Sequence, residues 1–286
     1  MNYHTIIKKL KPGHLTSIKN ECVISSAIKM KKQLFLIFLV LLAFTNLSGC
    51  ISEDLDSDLI NLSVNYQQTN GTIVESYDDG ELISKETVML DFDFSKTTSE
   101  NQIITYGINT NDGSEPITVE ASSQSKLTIE FIEHGFYHID AYAIDAKGII
   151  ENISIFIRID FRIEWIELST NDPKILPIDP IPINNGTHPY MIEVSSLVEN
   201  PSIIDEFGGG GQTVKFTWKM FDETNDACLT KNGQVEDGES DDWYIIHFNT
   251  YEVHELRIEY EEGQDYINID QVISIIYDDD ESKPNI

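Results

Sequence analysis

Positive charge is scarce in this chain: 19 Lys and Arg stand against 49 Asp and Glu in 286 residues, a formal net charge of −30. A surface of that sign repels nucleic acid and anionic headgroups, which removes nucleic-acid binding from the candidate functions. Cysteine is nearly as rare, at three residues. Helical periodicity is missing from Leu59 onward, where no stretch of ten or more residues repeats its apolar positions every 3.6 residues. The familiar catalytic spacings are missing too. His254-Glu255-Leu256-Arg257-Ile258 begins like H-E-x-x-H but has Ile258 where the second His belongs, and no G-x-S-x-G elbow occurs. Gly208 to Gly211 is followed by no Lys-Ser or Lys-Thr and by a strand rather than a helix, so it reads as a hairpin loop and not a phosphate cradle. His134, His138, His188, His247 and His254 show no metal-ligand spacing along the chain. Carboxylates are so abundant that some pair falls at glycosidase distance by chance, and such a pair carries no information. The expectation is a protein without catalysis, with no catalytic residue and no metal ligand assigned.

What is present begins with a greasy segment. Leu34 to Phe44 is an unbroken apolar run of 11 residues behind Met30-Lys31-Lys32. A bilayer-spanning helix needs roughly 20 apolar residues, so a basic start, a short apolar run and small residues ahead of a cut site read as a secretory signal over residues 30–49. The last four residues, Leu47-Ser48-Gly49-Cys50, resemble the lipobox of prokaryotic (bacterial or archaeal) lipoproteins. That resemblance implies that Cys50 is lipidated, becomes the mature N-terminus, and anchors the protein to the cell membrane on its outer side. Residues 1–29 then read as a start codon placed too early or as an extended leader. Residues 50–58 form a lipidated acidic tether.

Seven of the basic residues and only Glu21 of the acids precede Cys50, so the exported part carries 12 basic and 48 acidic residues, a net of −36. Such a surface either keeps the protein soluble in salty surroundings or holds divalent cations. For Ca²⁺, Asn109-Thr110-Asn111-Asp112-Gly113 approaches the D-x-[DN]-x-[DN]-G loop, with Gly one place early and no distal Glu. No cofactor is expected, Ca²⁺ being the one candidate. With Cys22 in the leader and Cys50 lipidated, Cys228 stands alone and no intramolecular disulfide forms. Asn225, Asp226 and Ala227 precede it, and an acidic loop raises a thiol's pKa, so Cys228 reads as inert.

The exported part reads as all-β. Short runs rich in Ile, Val, Tyr, Phe and Thr alternate with Asn-Gly and Asp-Gly at the spacing of β-sandwiches. Strands are expected near 59–66, 72–77, 87–94, 102–109, 116–121, 125–132, 136–145 and 149–159. Val88, Leu90, Phe92 and Phe94 face inward, as do Tyr137, Ile139, Ala141 and Ala143, and then Ile153, Ile155, Ile157 and Ile159. Val88-Met89-Leu90-Asp91-Phe92-Asp93-Phe94-Ser95, Thr105-Tyr106-Gly107 through Asp112-Gly113-Ser114, and Gly135-Phe136-Tyr137 through Asp145-Ala146-Lys147-Gly148 resemble the three signature segments of PKD domains. Ile108, Asn109, Thr110 and Asn111 stand where that family has Trp, Asp, Phe and Gly. The resemblance implies an immunoglobulin-like sandwich over 59–160, of a kind that makes protein or carbohydrate contacts at cell surfaces.

The alternation runs on through Phe161, Ile163 and Trp165. About 17 residues from Ile149 would span roughly 55 Å as one strand, far beyond the usual five or six residues, which places a boundary between two stiffly joined bodies near 160–166. Pro173, Pro177, Pro180, Pro182 and Pro189 keep residues 171–190 extended and out of a sheet interior. Strands near 190–198, 213–222, 242–249, 254–261 and 266–277 make a second sandwich over 161–277, with Val214, Phe216, Trp218 and Met220 inward. Residues 278–286 read as a disordered acidic tail. Outward aromatics, among them Tyr142, Phe156, Tyr244 and Tyr251, are the candidate contact patch, and rings lying in one plane on residues 167–277 would favour sugar stacking. Asn61, Asn70, Asn152 and Asn185 satisfy N-x-[ST] and are N-glycosylation acceptors if the cell has that machinery. The function expected is a lipid-anchored surface binding or spacer protein contacting a surface protein or polysaccharide. The alternatives are a carbohydrate-binding accessory subunit of a secreted hydrolase and a Ca²⁺-stabilised surface-layer or adhesion component.

Overall fold

The computed structural model describes residues 59–202 and 211–286. The segment read as a secretory signal, Cys50, the stretch read as a tether and Gly208 to Gly210 lie outside the described residues. The described residues form fifteen strands: β1 (Asn70–Asp78), β2 (Glu81–Glu86), β3 (Val88–Asp93), β4 (Ile103–Asn109), β5 (Ile117–Glu120), β6 (Lys126–Phe131), β7 (Gly135–Asp145), β8 (Ile150–Thr170), β9 (Leu176–Ile178), β10 (Met191–Glu199), β11 (Val214–Phe221), β12 (Ala227–Val235), β13 (Ser240–His247), β14 (His254–Glu262) and β15 (Ile267–Ile276). No helix of the described residues is long and apolar enough to cross a membrane.

The fold is all-β, with β-sandwich packing in both halves. A nine-stranded sheet runs β13-β10-β15-β8-β7-β4-β5, with β1 added to β8 and β2 to β1. The pair β3-β6 covers one half of it, and the four strands β12-β11-β14-β9 cover the other. Strand β8, 21 residues and roughly 70 Å long, joins the halves because its alternation holds from Ile153 to Leu168 and ends only where Ser169 takes a positive φ and the pairing with β15 shifts register. Ile155, Ile157 and Ile159 enter the first core with Phe92, Phe94 and Ile139, while Ile163 and Trp165 enter the second with Phe216 and Trp218. Phe161 packs against both. Burying each of these large side chains contributes roughly 1.5–3 kcal/mol.

β1 straddles the same junction. It runs parallel to β8 from Arg158 to Ile166, with Ile73 in the first core and Tyr77 against Trp165 at 5.3 Å. Where β7 and β15 meet along β8, Tyr277 and His134 fill the gap. His134 Nδ1 lies 2.8 Å from the Tyr277 hydroxyl, and its ring stacks on Phe161 at 5.4 Å and 11°. Tyr137 donates its hydroxyl to the Glu133 carbonyl at 2.7 Å, so its inward ring reaches backbone as its position suggests.

Several expectations need correction. Residues 59–66 make isolated bridges, Asn61 with Thr98, Asn65 with Asp93 and Tyr66 with Asn285, in place of a strand. The strands β2, β9 and β12 were not anticipated. β9 lies inside the Pro-rich segment, and Pro177 is tolerated there because β9 is the edge of its sheet. The acidic tail is docked, not disordered. Asn285 pairs with Tyr66, Ser282 hydrogen-bonds Phe156 and Thr69, and Arg158 gathers Asp160 at 2.6 Å, Asp279 at 3.0 Å and Glu281 at 3.1 Å. The cause is Arg158 itself. Only 15% of its side chain is exposed, and a charge removed from water requires counter-charges, which the tail supplies.

Candidate functional site

Because β8 alternates from Ile153 to Leu168, its even-numbered residues face away from the two cores over that stretch, and a trail of rings follows from that. Phe156 stacks on His138 at 4.9 Å and 18° and on Phe136 at 6.1 Å and 24°. Phe136 shares the wall of a cavity of about 50 Å³ with Thr187, His188 and Tyr277. His188 in turn packs on Tyr251 at 4.4 Å and 41°, and Tyr190 meets Phe248 edge-on at 5.7 Å and 69°.

The exposed end of the trail is a corner between two segments, Thr187–Tyr190 entering β10 and Phe248–Tyr251 leaving β13. They are tied by the Thr250 hydroxyl, which donates to the Pro189 carbonyl at 2.7 Å, and by His188 Nδ1, which donates to the Thr250 carbonyl at 3.0 Å. With its backbone held in this way, the corner presents Tyr251 at 70% exposure and Phe248 at 60%, with Tyr190 beside them. Tyr244 and Ile246 extend the apolar surface along β13, the edge of the nine-stranded sheet. The Tyr244 hydroxyl donates to Glu193 at 3.2 Å, and its pKa is pushed up by desolvation and then by that carboxylate. The rings are tilted, not coplanar.

The four aromatics expected to form one patch are thus divided. Tyr244 and Tyr251 belong to the corner and its edge, and Phe156 belongs to the stack on the first sandwich. Tyr142 lies flat over Gly107, where a Cβ would sit 2.2 Å from its ring, so it seals the sheet instead of offering a contact. His188, Tyr190 and Phe248 were missed. They lie just outside regular strands, where alternation says nothing about facing.

Among the acceptor asparagines, Asn61, Asn152 and Asn185 are exposed; Asn70 is exposed too, but its amide donates to Glu281 at 2.7 Å. In the Ca²⁺-like segment, Asp112 Oδ1 accepts from Thr110 Oγ1 and from the Ser114 amide, both at 2.9 Å, and Asn109 Oδ1 accepts from the Asn111 amide. These oxygens serve their own turn. A groove of about 410 Å³ beside β3 has a mixed lining, with Gln67, Gln68, Asp91 and Lys126 beside Tyr66 and Met89.

Beneath the corner, three residues treated separately along the chain come together. Cys228, His247 and His254 each place one ligand-capable atom within 4.8 Å of the others. Cys228 is not in a loop: Phe221 pairs with Ala227 and Met220 with Leu229, which leaves Cys228 as the extra residue of a β-bulge near the start of β12. His247 ends β13 and His254 starts β14, their rings 4.8 Å apart at 85°. His254 Nε2 donates to the Asn249 carbonyl at 2.9 Å, while His254 Nδ1 and His247 Nε2 are buried with no hydrogen-bond partner. Burial, then the neighbouring His254, pushes the His247 pKa down. Burial pushes the Cys228 thiol up, with Asp222 and Glu252 adding to it. No motif announces the cluster, because β12 and β14 belong to one sheet and β13 to the other. The available signal was two histidines placed symmetrically about one turn.

No family model matches the chain, and no curated protein matches it. Among solved structures it is similar to a carbohydrate-binding module of the β-sandwich superfamily, at 8% identity and a TM-score of 0.28 over 76% of this chain and 97% of that one. It is also similar to a surface glycan-binding protein of the Bacteroides ovatus mixed-linkage glucan utilization locus, seen with a heptasaccharide. That match has 9% identity and a TM-score of 0.23 over 71% of this chain and 51% of that one. A two-domain Bacteroides fragilis protein of unknown function matches at 12% identity and a TM-score of 0.22 over 78% and 98%. Scores this low leave function to be read from the side chains themselves.

Proposed function

We propose that this chain is a non-catalytic binding protein of the cell surface, held at the membrane by a lipid on Cys50, and that it grips a polysaccharide at the aromatic corner. The observation that carries this reading is the exposure of Tyr251, Phe248 and Tyr190 on two segments tied together by Thr250 and His188. Exposed rings on a fixed backbone offer contact area at little entropic cost. Asn249 and Glu252 lie between and beside them in sequence, and the Asn249 amide donates to the Glu252 carboxylate, which further steadies the turn. The tilt of 69° between Tyr190 and Phe248 favours a second reading, a protein partner whose side chains enter the corner, since tilted rings form a pocket and not a platform.

Glycan-array binding by the purified protein, run beside a pull-down from the native envelope, tests both. The Tyr251→Ala and Phe248→Ala variants are expected to lose binding by about tenfold or more, while their melting stays within about 0.5 kcal/mol of wild type because both side chains are exposed. Retention of the same ligands by both variants would remove the corner as the site.

A further inference from the structure

We propose that Cys228 Sγ, His247 Nε2 and His254 Nδ1 form a site for a transition-metal ion of the Zn²⁺ class, which pins the two sheets of the second sandwich together beneath the aromatic corner.

Four observations converge on this site. The β-bulge takes Cys228 out of the ladder near the start of β12, and bulges recur where a side chain must be re-aimed. His254 is 1% exposed, and its Nε2–H is committed to the Asn249 carbonyl, which fixes the tautomer that leaves a lone pair on Nδ1. This is the arrangement of a metal-ligating histidine, whose second nitrogen donates to a backbone carbonyl or carboxylate. His247 Nε2 is a second buried nitrogen without a partner, and a protein rarely leaves two such groups side by side. Finally, the donor set is one sulfur and two imidazoles, which suits a borderline or soft ion and is wrong for Ca²⁺ or Mg²⁺, which take oxygen.

The spacing suits an ion drawing its ligands inward. Ligands at about 2.0 and 2.3 Å on a tetrahedral ion stand roughly 3.5 Å apart, so atoms now within 4.8 Å close by about 1 Å on binding. Cys228 is exposed, which provides a path in from solvent and leaves room for a fourth ligand. Glu252 and Asp222 lie near enough to act on Cys228 electrostatically and add negative charge around a cation. Asp222 itself is held by the amides of Thr224 and Asp226 at 2.9 and 3.0 Å, which steadies the loop before Cys228. Binding would fix the turn between His247 and His254, the turn that carries Phe248 and Tyr251.

The test is metal uptake by the purified full chain after chelator treatment, with Zn²⁺ in competition with a chromophoric chelator, Co²⁺ as a spectroscopic probe and Ca²⁺ as the control. One equivalent of Zn²⁺ is expected, together with a Co²⁺ complex showing thiolate-to-metal charge transfer and the intense visible bands of tetrahedral coordination. Cys228→Ser, at an exposed position that leaves the fold intact, should abolish the charge-transfer band and weaken Zn²⁺ by at least about tenfold, and His247→Gln should weaken it similarly. No uptake, uptake unchanged in Cys228→Ser and thus owed to another thiol, or equal competition by Ca²⁺ would each overturn the proposal.

Discussion

His134 and His254 are both nearly enclosed, yet their surroundings differ in a way that separates a structural histidine from a candidate ligand. His134 is used on every side: Nδ1 meets the Tyr277 hydroxyl, the ring stacks on Phe161, and a backbone bond links it to Asp179. His254 has one nitrogen bonded to Asn249 and the other buried without a partner, in a residue whose ligand-capable atom lies within 4.8 Å of those of His247 and Cys228. Burial alone therefore says little about a histidine. What distinguishes the two is whether the lone pair has been given a partner within the fold, because leaving it unpaired costs about 1–3 kcal/mol unless something else binds it.

The comparison can be broken at three levels. The largest effect tests whether the two histidines sit in one cooperative body. Trp218→Ala in the second core and Phe92→Ala in the first should each cost about 3–5 kcal/mol. Because β8 serves both cores, each should lower a single melting transition seen by calorimetry, and two separate transitions would break the shared-strand account. Next, His134→Phe retains the stack on Phe161 but strands the Tyr277 hydroxyl, for a loss of about 1–3 kcal/mol. His254→Phe in metal-free protein removes one hydrogen bond together with an unpaired nitrogen and should cost less, below about 1.5 kcal/mol, in urea titration. Equal losses would erase the distinction.

The smallest effect is in pH. Burial holds the His134 and His247 pKa values below the ordinary 6.5. The unfolded chain then binds more protons than the folded one between the depressed values and 6.5, so stability falls as pH drops below 6.5 and levels off once the folded-state pKa values are passed. Urea midpoints measured from pH 7.5 down to 5 should show this slope for metal-free protein, and His134→Phe should reduce it. An unchanged slope in that variant would mean that His134 is not part of it.

Much of the fold was legible in the chain because alternation is local. Val88 to Phe94, Gly135 to Asp145 and Ile153 to Trp165 declare their inward faces at every second residue, and the structure buries those residues, with Val88, Ile153 and Phe161 half-buried against the cores. Other strands hid behind turn-like residues. Asp79-Gly80 marked a hairpin that would have revealed β2, but β2 is exposed along its whole length and shows no apolar alternation. β12 carries Gly233 against the Phe216 ring, and its faces show little apolar alternation. The polar run Asn225-Asp226-Ala227 ahead of Cys228 read as a loop, which concealed the neighbours that the strand gives it. The tail misled for a different reason: acidic composition suggests disorder unless a buried cation elsewhere needs it, and Arg158 is more than 120 residues away in sequence.

By itself, the order of residues determined the β class, the strong alternation of β8, the expectation of an exported and lipid-held chain, and a surface hostile to polyanions. These follow from the spacing and charge of near neighbours. The tertiary structure alone decided that one strand serves two cores, that the tail neutralises Arg158, that Tyr251 and Phe248 form a corner with His188 and Tyr190, and that Cys228, His247 and His254 converge. Each of these depends on which strands pair and which sheet each strand joins, and such long-range choices leave no periodic trace in the sequence.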